Sequence, residues 1–185
     1  MDNAYKKTVI DFISSNIDKT TKDSKDYNET TLVPLPFPYT TPSISGSFQE
    51  IYYWDTYFTN VGLYIIERQG QAVNNIKNFV YLIEKYGFIP NGNRTYYLTR
   101  SQPPFFGMMV ADALRLCPQL LDKDEAIAAL EKEWIFWDTK RKAGNGLNIY
   151  SSDASDEDHK SNVSYYLDRT GIDLQPTVEN GRNVL

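Results

Sequence analysis

Five stretches of the chain place apolar residues at helical spacing, and none shows the strict alternation of a half-buried strand, which restricts the fold to packed helices. Residues 4–17 carry Val9, Ile13 and Ile17 on one side, widened by Ile10 and Phe12, and are expected to form a packing helix. Residues 49–69 are apolar on most sides, as in an inner helix buried between others. Residues 72–86 set Val73, Ile76, Phe79, Val80, Ile83 and Tyr86 on one face, with Asn74, Asn75, Lys77, Asn78, Glu84 and Lys85 mostly opposite. That is the pattern of an outer helix, stopped by Gly87. A fourth helix is expected from Pro104 through Met108, Met109, Ala113 and Leu116 to about Cys117, where Pro118 ends it. The capping pair Asp122 and Glu125 opens a fifth, whose stripe of Ile127, Leu130, Trp134 and Trp137 runs to about Lys140.

The intervening segments differ in kind. Residues 18–47 are polar and then rich in proline (Pro34, Pro36, Pro38, Pro42), so they read as an extended strap. Residues 87–103, GFIPNGNRTYYLTRSQP, exceed the usual helix connection of about 2–8 residues, and a long polar loop in a helical protein carries function. Residues 151–185 read as irregular, with Asp153, Asp156, Glu157 and Asp158 as a solvated acidic face and His159 without a catalytic setting. A length of 185 residues suits one domain.

Charge and composition narrow the function. A net charge of −5, without a cluster of Lys and Arg, argues against nucleic acid as a partner. No run approaches the roughly 18 apolar residues of a membrane span, so no membrane partner is expected. Cys117 is the sole cysteine, which rules out an internal disulfide and a cysteine-rich zinc site within this sequence. The first residues, MDNAYKKTVIDFISS, lack the pattern of a secretory signal peptide, and a cytoplasmic location is expected on that ground. The 14 Tyr, 9 Phe and 3 Trp are aromatic surface suited to sugar rings, although large cores use the same residues.

Two segments are the most specific: SFQEIYYWDTYFTNVGL (47–63) and YGFIPNGNRTYYLTRSQPPFF (86–106). With the preceding LPFPYTTP they resemble the trehalase family, which has a proline-rich strap, a Gly-Gly-Arg-Phe, Glu, Tyr, Trp-Asp run, and a Gly-Phe-Ile-Pro-Asn-Gly-Asn-Arg loop ending in Arg-Ser-Gln-Pro-Pro-Phe. The resemblance covers roughly residues 32–147. It implies an all-α fold, the first hairpins of a six-hairpin α/α toroid, with residues 1–185 as the N-terminal portion of one catalytic domain. It also implies inverting hydrolysis of α,α-trehalose to two glucoses, with a disaccharide as the partner and no cofactor or metal.

Carried over residue by residue, the resemblance assigns Trp54, Asp55, Asn91, Arg100, Gln102 and Phe48 to substrate binding. A hexose needs carboxylates and amides for its donors and guanidinium groups for its acceptors, which this set supplies. Ser47 stands where the family has a sugar-binding Arg, so another α-glucoside stays open beside trehalose, as does a noncatalytic sugar-binding role. Glu50 reads as a structural group that fixes the loop containing Asn91. The family's acid lies in a Glu-Ser-Gly-Trp-Asp run and its base nearer the C-terminus; neither motif occurs here, so no catalytic residue is assigned and the chain is expected to be an inactive fragment. The apolar faces of Val73, Ile76, Val80 and Ile83, and of Leu130, Trp134 and Trp137, are then expected to need later hairpins as cover.

Overall fold

The computed structural model describes residues 3–26, 30–158 and 160. Its helices are α1 (Asn3–Asn16), α2 (Tyr53–Ile65), α3 (Gln69–Tyr86), α4 (Phe106–Leu116) and α5 (Lys123–Lys140), with short 3-10 turns between them. The sequence patterns overrun α2 at both ends. Ile51 and Tyr52 are buried in extended backbone before it, and Glu67 turns left-handed (φ 61°) after it. Buried extended residues carry the same apolar signal as a buried helix, which is why the pattern misplaced the start.

Caps fix the other ends. Gly87 adopts φ 81° and donates its N–H to the Ile83 carbonyl at 2.7 Å, closing α3 with the left-handed residue that glycine supplies without steric cost. The Asp122 carboxylate accepts from the N–H groups of Asp124 and Glu125, satisfying two of the donors that a helix start leaves unpaired. α4 begins at Phe106, two residues later than expected, and Pro118 opens a 3-10 turn, Pro118–Leu120.

Helices α2 and α3 form one hairpin, α4 and α5 a second, and they pack together over a core that includes Tyr53, Ile76, Phe79, Ile83, Phe106 and Met109. Each such apolar side chain contributes ~1.5–3 kcal/mol through burial. The two helical hairpins make the all-α arrangement of paired helices expected from the sequence.

Three expectations are corrected. The asparagine side of α3 does not face water: Asn75 and Asn78 are fully buried beneath the strap. Their side-chain carbonyls accept the N–H groups of Thr40 and Phe37, each at 3.1 Å, and Asn78 Nδ2 donates to the Phe37 carbonyl at 3.0 Å. Amides on a helix suit this because one group offers both a donor and an acceptor to a backbone that has no strand partner. The strap itself is not uniformly extended, since it holds two 3-10 turns and a two-residue antiparallel pairing of β1 (Thr21–Lys22) with β2 (Tyr39–Thr40). Finally, α1 leaves Val9, Phe12 and Ile13 exposed, so it does not pack its apolar side on the core.

Candidate functional site

The site is built where the start of α2 meets the loop between α3 and α4. Extended residues before α2 pair with that loop: Tyr52 bridges Gly92, and Tyr53 N–H donates to the Asn91 carbonyl at 3.3 Å. Gly92 lets the two segments approach closely, because an added Cβ would stand 3.1 Å from the Ile51 carbonyl oxygen and 3.2 Å from the Tyr97 ring, closer than ordinary van der Waals contact. The loop then folds back on itself, with Asn91 N–H donating to the Arg100 carbonyl at 2.9 Å and Ser101 Oγ to the Ile89 carbonyl at 2.6 Å. One further bond closes the ring of segments: Trp54 N–H donates to Gln102 Oε1 at 3.1 Å.

These bonds bring five of the expected residues into one neighbourhood: Trp54 and Asp55 in the first turn of α2, and Asn91, Arg100 and Gln102 on the loop beside it. Trp54 is 42% exposed, and its ring meets Phe58 edge-on at 6.4 Å. Asp55 is half-buried and its carboxylate has no hydrogen-bond or ion-pair partner on another described residue; burial raises its pKa, opposed by its own backbone N–H. The Asn91 side chain and Gln102 Nε2 also make no hydrogen bond to the described residues, so their polar atoms remain available. The Arg100 guanidinium lies 5.0 Å from the Tyr97 ring centroid, a cation–π contact. Phe48 follows the strap, exposed, at φ 65°, with its ring 5.9 Å from Tyr52.

Beneath this layer lies a polar framework. Glu50 is buried; it accepts from Arg94 Nε at 2.7 Å and from the Tyr52 hydroxyl at 2.9 Å, which fits its expected role as an anchor for the loop. Arg94 also donates to Thr31 Oγ1 at 3.0 Å. The Asn93 side chain accepts Ile51 N–H and donates to the Val33 carbonyl, both at 3.0 Å, so one amide joins strap, loop and the approach to α2. Sequence reasoning passed over Asn93 and Arg94, whose partners lie 42–63 residues away. The one available signal was their place in a polar loop with little apolar material to hold it.

Asp153 is exposed, as expected of the acidic tail, and it also accepts from the buried Arg141 guanidinium at 2.9 Å and 3.0 Å. Its backbone N–H also donates to the Thr99 carbonyl, next to Arg100. A buried cation needs such a partner more than it needs water. His159 lies outside the described residues.

The family model described as Trehalase matches residues 4–179. The chain belongs to the trehalase family. Among curated relatives, a periplasmic trehalase of Escherichia coli O139:H28 is 46% identical over 113 residues, and one of Escherichia coli O1:K1 is 45% identical over the same length. Each match covers 57% of this chain and 18% of the relative. Among solved structures, a neutral trehalase from Saccharomyces cerevisiae matches with a TM-score of 0.60 and 27% identity, over 80% of this chain and 30% of that one. The chain thus spans under a fifth of the length of the curated relatives it matches.

The relatives' names overturn one expectation. They are periplasmic trehalases, so the cytoplasmic location inferred from the first residues is withdrawn. A secretory leader is removed from the mature protein, which is why its absence from a sequence carries no information on location.

Proposed function

We propose that this trehalase-family chain supplies the glucose-recognition part of an enzyme that hydrolyses α,α-trehalose by inversion. The carrying observation is the closure of residues 53–54 onto 91–102 through Tyr53, Asn91, Arg100 and Gln102, which supports one shared binding surface. The half-buried Asp55 carboxylate accepts from sugar hydroxyls, Asn91 and Gln102 Nε2 donate to them, Arg100 adds charge-assisted bonds, and the exposed Trp54 ring covers an apolar C–H face. Phe48, whose ring meets Tyr52 just before α2, is the second ring of this surface.

Proton transfer is assigned to neither Asp55 nor Glu50. Inversion needs an acid on the leaving oxygen and a base about 6.5–9.5 Å away that activates water. Glu50 is already engaged by Arg94 and Tyr52, and Asp55 has no second free carboxylate paired with it in the framework described above. On this reading the 185 residues bind sugar without turning it over.

A second reading is favoured by one observation. Ser47 is exposed, makes no side-chain hydrogen bond among the described residues and sits between the left-handed Gly46 and Phe48, at the position that the family's sugar-binding Arg holds. A different α-glucoside is then the substrate. Calorimetric titration with trehalose and with other α-glucosides tests both readings. Trehalose binding that is weakened about ten- to a hundredfold by Arg100→Ala is the expected result; preference for another α-glucoside selects the second reading, and no binding to any of them refutes both.

A further inference from the structure

Tyr53 directly precedes Trp54, but its side chain points the other way, into the core, where it is fully buried. Its hydroxyl donates to Glu133 Oε1 on α5 and accepts Phe106 N–H at 3.0 Å. Phe106 is the first residue of α4, where backbone donors have no partner within the helix, and the residue before it offers no side-chain cap. The Tyr53 hydroxyl therefore caps α4 from α2, while its ring meets Phe79 of α3 edge-on at 5.4 Å. All four helices of the two hairpins meet at this side chain.

The consequence lies in how the chain is stitched. Residues 53–54 are tied to 102–106 by two hydrogen bonds, the exposed Trp54 N–H to Gln102 Oε1 and the buried Phe106 N–H to Tyr53 Oη. The exposed bond is made by groups assigned to sugar binding. The buried one is made by groups that do not face the sugar, and it alone reaches α5. Glu133 is 5% exposed, and burial pushes its pKa up to about 7, against the Tyr53 bond that lowers it. A leucine would fill similar space without that desolvation penalty. What the carboxyl adds is an acceptor that fixes the Tyr53 proton and leaves the hydroxyl's lone pairs toward Phe106 N–H.

We propose that Glu133 and Tyr53 are a positioning pair that holds the first turn of α2 in register with Gln102 and so sets the geometry of the binding surface without touching the sugar. The register is a property of the chain by itself; only its purpose rests on the sugar-binding reading.

The test compares Tyr53→Phe, Glu133→Leu and Glu133→Gln with the unsubstituted chain by amide hydrogen exchange and trehalose titration. Tyr53→Phe and Glu133→Leu are expected to accelerate exchange at Trp54 N–H, and to weaken trehalose binding, by about tenfold each. Glu133→Gln keeps an acceptor oxygen and is expected to restore both. Protection at Leu82 and Ile83 of α3 should stay unchanged in Tyr53→Phe and Glu133→Gln, which separates displacement of one turn from a general loss of fold. If Glu133→Leu does not fold, the other two variants still decide. Unchanged exchange at Trp54 in Tyr53→Phe overturns the proposal, and so does a Glu133→Gln variant as perturbed as Tyr53→Phe. If the unsubstituted chain binds no trehalose, the sugar-binding reading fails alone, and the exchange comparison still judges the positioning pair.

Discussion

A carboxylate accepts hydrogen bonds from sugar hydroxyls fully only when ionised, and Asp55 sits where burial raises its pKa. Sugar affinity is therefore expected to fall as pH drops through that raised value, because bound sugar stabilises the charged form. Asp55→Asn should bind more weakly at neutral pH and lose the pH dependence; calorimetric titration across the acid range checks both. Ser47→Arg makes the complementary change on the strap, restoring a fork of donors. It is expected to raise affinity for trehalose relative to other α-glucosides, by about tenfold for one charge-assisted bond of roughly 1.5 kcal/mol; an unaltered ratio would dismiss Ser47 as the source of specificity. The residues assigned to the sugar were legible because two contiguous motifs carry them. Tyr53 was not legible as anything but core, since its chemistry depends on Glu133 80 positions away and on one backbone N–H of α4.

Among the helices, Glu133 links packing to pH. Its folded-state pKa of about 7 lies above the ordinary 4.5, so between those values the folded chain holds more protons than the unfolded one. Stability is expected to decline as pH rises from about 4.5 through about 7, by up to about 3 kcal/mol at 1.36 kcal/mol per unit. Glu133→Gln should flatten this decline and be more stable than the unsubstituted chain above neutrality, which urea unfolding at a series of pH values measures. At the start of the same helix, Asp122→Ala removes the acceptor for two N–H groups and should cost ~1 kcal/mol. That cap, the Gly87 stop and the apolar face of α3 could be read from local pattern, whereas α5 buries Ala126, Ala129, Glu133 and Phe136 with Trp137 and leaves Ile127 and Trp134 of its expected stripe exposed. The burial of Asn75 and Asn78 could not, because a polar helix face looks the same in sequence whether water or a proline-rich strap supplies its hydrogen bonds. α1 shows the opposite limit: apolar spacing specifies a face but does not supply a surface for it to lie on.

For the molecule as a whole, the apolar faces that need cover match those expected from sequence only at Trp134. Val73, Ile76, Val80 and Ile83 are buried within the chain, because α2, α4 and α5 already surround α3. The exposed stripe lies on α2, where Trp54, Phe58, Val61 and Ile65 follow one face and range from 37% to 66% exposed. Trp134 and Ile135 add a second patch on α5, while Trp137 is buried. Contiguous apolar surface of this kind promotes association. Light scattering over a concentration series is expected to show self-association of the 185-residue chain, reduced by Phe58→Ser together with Ile65→Ser and unaffected by Lys6→Ser on the exposed side of α1. The strap has a consequence in time as well as in space. Its bonds to Asn75 and Asn78 span 35 and 41 positions, so they cannot form during synthesis until α3 has emerged, and closing so wide a loop costs entropy before it returns any contact. The segment made early is thus fastened late, and the binding loop, whose Asn93 and Arg94 bond to Val33 and Thr31, shares that late fastening because it is held by the same strap.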